Sequence, residues 1–162
     1  MPLSKSTLAQ DLERVLTDKP SSAADAAAGW AKAYLTYATG ALSTASSLPV
    51  SAPAGFSLVL GAFQAGFAAQ SSGTAGAVVA QGLTAFWQGI AWVGPTAVGV
   101  TAFPGNPALA ADLGALFADL GGKSAADKAN DLASAFDTGA KAVIVSDVPL
   151  IQPAPPIVGP IS

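Results

Sequence analysis

Residues Phe56 to Pro95 read FSLVLGAFQAGFAAQSSGTAGAVVAQGLTAFWQGIAWVGP and contain no charged side chain. Apolar residues recur there with the period of a helical stripe, first as Phe56, Leu60, Phe63 and Phe67, then as Val79, Leu83, Phe86, Ile90 and Val93. The polar and glycine residues of QSSGTAG separate the two patterns. The stretch therefore predicts two helices, over 56–69 and about 75–93, that form an antiparallel hairpin.

Two further helices are predicted before the hairpin. Residues Ser6 to Asp18 have an amphipathic pattern, and the proline in the following DKPSS segment ends the helix. A second helix begins in the segment SAAD, where Ser22 can cap the first turn and Asp25 lies near the positive end of the helix dipole. We expect this helix to run toward Ser47, where a Pro-containing connection follows.

Two more helices are predicted after the hairpin. Asn106 is interpreted as an N-cap with Pro107 at the first helical position, and the two glycines at 121–122 end that helix. Ser124 begins the last helix, again in the sequence SAAD. The segment AVIVSDV after this helix is predicted as a short strand, and TAVGVTAFPG at 96–105 as a loop or a short strand.

These elements predict a mostly α-helical protein with a single domain of five to six helices arranged as an antiparallel hairpin or bundle. The helical domain spans 1–147, with an N-terminal helix within 1–20 and core helices within 22–142. Residues 148–162 form a tail whose five prolines exclude a helix and favour an extended arm.

The two SAAD segments continue to resemble each other beyond those four residues. Trp30 and Tyr34 align with Leu132 and Phe136, and alanines recur at matching positions around them. One interpretation is an internal duplication; the other is convergence, because capped helices in an alanine-rich chain align readily. The sequence leaves both open.

Composition excludes several classes of function. Only 10% of the residues are charged and the net charge is −3, so the seven Lys and Arg residues cannot neutralise a run of phosphates, and nucleic acid is not an expected partner. The chain has no Cys and no His, which removes the usual nucleophile and zinc sites. No phosphate-binding glycine motif is present. We therefore predict no enzyme activity, no catalytic residues, no cofactor and no metal.

Carboxylate pairs exist, but we interpret them as solvated helix surface. Asp112 with Asp119, and Asp127 with Asp131, would share helix faces. Apolar or aromatic residues that would raise a carboxyl pKa do not converge on them. The N-terminus also has charged residues where a secretory signal would need an apolar segment, so we expect no signal peptide.

The uncharged region from Ala33 to Ala111 is a membrane span, a buried core or a surface covered by other subunits. A span needs about 20 apolar residues, whereas Gln81, Thr84 and Gln88 interrupt the longer helix and no Lys or Arg flanks the hairpin. These features favour a buried hairpin with an uncharged contact surface. The alternative is a membrane-active helical hairpin, such as a phage holin or a pore former.

Candidate interface residues combine large apolar side chains with the tail. They are Trp87, Trp92, Phe103, Pro149, Leu150, Ile151, Pro155, Pro156, Ile157 and Val158. The tail is too apolar for a solvated linker, so it lies either along a neighbouring subunit or back over its own domain. The tryptophans are also compatible with a position in the core.

The uncharged 33–111 region and the terminal VPLIQPAPPIVGPIS resemble, in general character, the small Ala- and Gly-rich virion proteins of tailed bacteriophages and related contractile particles. This resemblance implies a structural component of a tail, neck, baseplate or capsid surface. It also implies other virion proteins as partners, repeated copies or a homo-oligomer in the assembly, and location in a virion assembled in the host cytoplasm.

Overall fold

The computed structural model describes residues 3–42, 55–90, 92, 96–119, 121–149 and 157–162. These residues form six helices and three strands, so the predicted mostly α-helical architecture is confirmed. The helices are α1 Lys5–Thr17, α2 Ala23–Ala38, α3 Phe56–Phe67, α4 Ser72–Gly89, α5 Asn106–Ala118 and α6 Ala125–Lys141. The strands are β1 Thr96–Ala102, β2 Ile144–Pro149 and β3 Ile157–Pro160.

Serine side chains begin most of the helices. The hydroxyl oxygens of Ser4, Ser22, Ser71 and Ser124 each accept a hydrogen bond from the backbone N–H three residues further on. This satisfies a donor that the first turn leaves without a helical partner. The predicted caps at Ser22 and Ser124 are therefore confirmed.

The prediction for Asn106 is wrong. The N-cap of α5 is Gly105, and Asn106 is the first residue of the helix. Its side-chain amide donates a hydrogen bond to the backbone carbonyl of Ala80 in α4, with an N–O distance of 2.9 Å. The amide thus joins two helices instead of capping one, because α4 lies close enough to compete for it.

Two predicted helix boundaries also differ from the structure. α2 ends at Ala38 with Thr39 as its C-cap, whereas we expected it to run toward Ser47. α4 begins at Ser72 and ends at Gly89, so it starts earlier and stops earlier than the predicted 75–93. Ile90 has extended backbone and is no longer helical.

The buried face of α3 is rotated from the predicted stripe. Val59, Ala62, Phe63 and Gly66 are buried, whereas Phe56 is 39% exposed. α3 packs against both α2 and α4, so small residues on the side facing α4 are covered as well. Phe56 and Phe63 were predicted on one apolar stripe, but only Phe63 of these two lies in the core.

Each helix packs against its neighbours in sequence, and α6 packs against α1, which closes a ring of six helices. Aromatic side chains fill the centre. The ring of Phe136 stands edge-on to Tyr34 and Phe63, with centroid distances of 5.3 and 5.9 Å. Tyr34 also meets Phe86 at 6.0 Å. Helices α2, α3, α4 and α6 therefore share one aromatic core.

Glycines allow the central helices to approach closely. A Cβ atom added to Gly82 in α4 would clash with the Cβ of Ala62 in α3. One added to Gly76 would lie 2.5 Å from the backbone oxygen of Ala110 and the backbone nitrogen of Gly114 in α5. The contacts that α4 makes with both neighbours thus depend on the absence of side chains at these positions.

The six helices form three consecutive pairs with matching burial. In the first helix of each pair, two apolar residues four apart are buried at the same distance from the N-cap: Leu8 and Leu12, Val59 and Phe63, Leu109 and Leu113. The second helices match in the same way from their capping serines: Ala27, Trp30, Ala31 and Tyr34; Gly76, Val79, Ala80 and Leu83; Ala129, Leu132, Ala133 and Phe136. The likeness between the SAAD helices therefore extends to all three pairs.

The strands form an antiparallel sheet in the order β1-β2-β3. The strand predicted after α6 is confirmed as β2, and 96–102 form β1. The domain boundary that we expected between 147 and 148 falls inside β2. The C-terminal strand β3 pairs with β2 in this sheet. Beyond it, the N–H of Ile161 donates to the carbonyl of Val143, and Ser162 exchanges two backbone hydrogen bonds with Leu42.

Candidate functional site

Trp87 is fully buried. It is therefore not available for the contact with another subunit that we had expected. Its indole N–H donates a hydrogen bond to the hydroxyl of Tyr34, with an N–O distance of 2.9 Å. Burial raises the pKa of the Tyr34 hydroxyl. The prediction of Trp87 as an interface residue is corrected: it is a core residue whose polar atom has a partner inside the protein.

The other aromatic candidates lie at the edge of the core. Phe103 is buried. Trp92 is half-buried and packs against the core, and its buried indole N–H has no hydrogen-bond partner among the residues that the structure describes. Phe103 therefore contributes to packing within the domain, and Trp92 keeps only part of its surface accessible.

Three of the tail candidates lie in strands: Pro149 in β2, and Ile157 and Val158 in β3. Val158 is 60% exposed, whereas Ile161, which was not a candidate, is 2% exposed. The remaining candidates, Leu150, Ile151, Pro155 and Pro156, lie outside the described residues. Within 157–162 the tail folds back on its own domain, which is one of the two arrangements that the sequence left open.

Helices α3 and α4 together expose a surface without charged side chains. We call this surface the neutral face and define it as the exposed residues of the two helices. In α3 these are Phe56, Ser57, Leu58, Gly61, Gln64 and Ala65, and in α4 they are Gly73, Thr74, Ala77, Gln81, Ala85, Gln88 and Gly89. All charged residues of the chain lie outside 33–111, on the other helices and the segments that follow them. Helices α3 and α4 are therefore uncharged, whereas each of the other four helices contains charged residues.

Two large apolar side chains are exposed on the neutral face. Phe56 is 39% exposed and Leu58 is 46% exposed, both in the first turn of α3. Leu58 lies beside the last residue of α4, since a Cβ atom on Gly89 would be 3.9 Å from the Leu58 side chain. Exposed apolar side chains that are surrounded by uncharged residues are typical of surfaces that bind other proteins.

Neither residue was among the predicted contact residues, for an identifiable reason. The spacing of Phe56 from Leu60 and Phe63 placed it on the same apolar stripe as those residues. Leu58 lies outside that stripe. A large apolar residue outside the apolar stripe of a helix indicates an exposed contact residue, and this signal was present in the sequence.

A buried polar group joins α2 to α6 on the other side of the core. Asp137 accepts a hydrogen bond from the Tyr37 hydroxyl at 2.8 Å and pairs with the Lys141 ammonium at 2.8 Å. Burial is the main cause that raises the pKa of Tyr37. Because each of these polar groups has a partner, the arrangement stabilises the helix contact and leaves no reactive group free in it.

Several surface carboxylates are engaged in ion pairs or in hydrogen bonds at helix starts. Lys123 pairs with Asp119 at 3.3 Å and with Asp131 at 2.8 Å, and these hydrogen bonds raise the pKa of Lys123. Asp25 accepts hydrogen bonds from Ser21 and Ser22, which lower its pKa. Within the described residues, no three acidic side chains form a group that could hold a metal ion.

Comparison of the chain with protein-family models, curated protein sequences and solved structures gives no match. Among the helices that the structure describes, none combines the length and the hydropathy that crossing a bilayer requires. The neutral face is therefore the feature from which we infer a function.

Proposed function

We propose that the chain is a structural subunit of a phage particle, in a tail, neck, baseplate or capsid surface, and that it acts through protein–protein contacts. The observation that carries this proposal is the neutral face, which extends over two adjacent helices without a charged side chain. Charged residues are depleted at the centre of protein interfaces, because burying an unpaired charge is costly.

The small side chains of this surface favour close contact. Alanine, glycine, serine and threonine lose little side-chain entropy when they are covered, and Gln64, Gln81 and Gln88 supply hydrogen-bonding groups without charge. Phe56 and Leu58 add apolar area at one end of the surface. The binding partners are then other virion proteins or further copies of the chain.

The composition of the chain supports the choice of a particle subunit. With 51% hydrophobic and only 10% charged residues, the protein has few of the groups that keep an isolated surface hydrated. Repeated subunits cover such surfaces with one another. Because 157–162 pair with the chain's own domain, we assign the contact to the neutral face rather than to a free C-terminal arm.

The test is incorporation of a tagged chain into virus particles. We expect the tagged protein, produced in infected host cells, to remain with particles purified through a density gradient. Ala65→Glu and Ala77→Glu, which place a charge on exposed positions of α3 and α4, should reduce incorporation by roughly tenfold or more.

The matched control is Ala111→Glu, the same change at an exposed position of α5. It should leave incorporation unchanged. Equal incorporation of all three variants, or absence of the wild-type chain from purified particles, would contradict the proposal. Flotation of the purified protein with liposomes in the absence of detergent would instead support the membrane-active alternative.

A further inference from the structure

Two surface grooves occupy equivalent places in the first and the third helix pair. The first groove, between α1 and α2, has a volume of about 390 Å³, and the second groove, between α5 and α6, has a volume of about 430 Å³. Asp11 and Thr36 line the first groove, and Asp112 and Thr138 line the second from the same positions of their pairs. The two grooves lie on either side of the contact between α1 and α6.

The apolar floors of the grooves also match. Val15 and Ala33 line the first groove where Leu116 and Ala135 line the second. In the middle pair, α3 and α4 are in direct contact through Gly82 and its neighbour across the hairpin. The two grooves therefore have similar volumes and similar apolar lining residues.

The grooves differ in charge. In the first, Asp11 pairs with Arg14 at 3.2 Å, which leaves the exposed Lys32 without an ion pair among the described residues. In the second, Asp131 pairs with Lys123, which leaves the exposed Asp112 without an ion pair in the same part of the chain. The first groove thus has an excess positive charge and the second an excess negative charge.

We propose that copies of the chain associate head to tail, with the first groove of one copy against the second groove of the next. Lys32 of one copy then faces Asp112 of its neighbour, and the apolar floors are covered together. Contact between two first grooves would bring like charges together, so the charges determine the orientation. A contact between different surfaces of identical copies repeats, and it produces a ring or a filament.

This contact is made by helices other than those of the neutral face. It goes beyond the proposed function, since it names a second copy of the chain as the partner of a separate surface. Variants of the two surfaces can therefore fail independently.

The test is sedimentation velocity of the purified full chain over a range of concentrations at low salt. We expect the wild-type protein to associate, and the association to weaken when salt screens the charges. Lys32→Glu and Asp112→Lys should each weaken self-association by roughly tenfold or more, because each places like charges opposite one another.

Two rescue experiments distinguish a lost contact from a damaged fold. The protein that carries both Lys32→Glu and Asp112→Lys should recover association, because opposite charges face each other again. An equimolar mixture of the two single variants should recover it too. Damage to the fold of one chain is not repaired by mixing it with another.

The controls are Lys5→Glu and Asp18→Lys, which make the same charge changes at exposed positions outside both grooves. Lys5→Glu places a negative charge at the N-terminus of α1, and Asp18→Lys places a positive charge at its C-terminus. Both charges interact favourably with the helix dipole, so neither variant should harm folding. Both variants should associate like the wild type. A wild-type chain that stays monomeric, single variants that associate normally, or a loss without rescue overturns the proposal.

Discussion

The hydroxyl of Tyr37 in α2 donates a 2.8 Å hydrogen bond to Oδ1 of Asp137 in α6, inside the ring of helices. The second carboxylate oxygen of Asp137 accepts from Lys141, which lies one turn further along α6. Asp137 is the one buried charged residue among those that the structure describes. Its two partners explain why a carboxylate is tolerated there, because burying an unpaired charge would be strongly destabilising.

Asp137→Ala should lower the free energy of unfolding by about 2–3 kcal/mol, since it leaves the buried Tyr37 hydroxyl without its acceptor. Tyr37→Phe should cost less, about 1–2 kcal/mol, because Asp137 keeps Lys141. Urea unfolding measures both. Thr138→Ala, at the exposed neighbouring position, is the control. An Asp137→Ala protein as stable as the control would show that the hydrogen bond contributes nothing.

Stability should decline in alkaline solution. Burial raises the pKa values of Tyr34 and Tyr37 above the ordinary value for tyrosine of about 10. In the unfolded chain the tyrosines lose their protons near that pH, whereas in the folded protein they keep them. The stability that the two buried tyrosines contribute is therefore complete below about pH 10 and is lost as the pH rises further. Urea midpoints measured from neutral pH to above pH 10 test this.

Two variants separate the sources of the alkaline decline. Tyr37→Phe removes one buried hydroxyl and should make the decline shallower. The hydrogen bonds of Lys123 to Asp131 and Asp119 raise its pKa, so its deprotonation also lowers stability in alkaline solution. Lys123→Arg keeps the positive charge at high pH and removes the contribution of Lys123 to the decline. A midpoint that does not change with pH would contradict the assignment to buried tyrosines.

Gly76→Ala should destabilise the protein by about 1–3 kcal/mol, because the new methyl group would meet the backbone of α5 and force α4 away from it. Gly61→Ala is the matched control in α3, where an added Cβ meets nothing within 4 Å. It should stabilise the protein by about 0.5–1 kcal/mol through helix propensity alone. Thermal unfolding of both variants gives the comparison, and effects of the same sign would count against close packing at Gly76.

Ile161→Ala should lower the free energy of unfolding by about 2–4 kcal/mol, since Ile161 is only 2% exposed and packs in the core. Val158→Ala, in the same terminal segment but at a 60% exposed position, should change stability by less than about 0.5 kcal/mol. Chemical denaturation distinguishes the two. If both variants behave alike, the C-terminal segment does not contribute to the core.

Local signals predicted most of the secondary structure. The serines at 22 and 124 cap their helices as expected, and the spacing of Val79, Leu83 and Phe86 places them in the core of α4. These predictions depend on contacts within one or two helical turns, which a linear sequence contains. The mostly α-helical class follows from them.

Predictions that depended on neighbouring helices were less successful. Asn106 has the residue type of an N-cap, yet its amide donates to the carbonyl of Ala80 in α4. Phe56 has the spacing of a core residue but lies at the exposed start of α3. Trp87 was assigned to an interface, although Tyr34 accepts its indole N–H inside the core. Asn106 and Trp87 find partners in distant segments, and no neighbouring helix covers Phe56. The spacing of residues reports neither.

The sequence by itself determined the mostly α-helical class, most of the starting residues of the helices and the absence of charge over 33–111, because these depend on residue types and near neighbours. Only the tertiary structure decided which side of each helix is covered, that the last residues join the sheet of their own domain, and that two helix pairs form matching grooves of opposite charge. The physical reason is that burial and hydrogen bonding between distant segments depend on how the helices close into a ring, and that closure minimises the exposed apolar area of the whole chain rather than of any one element.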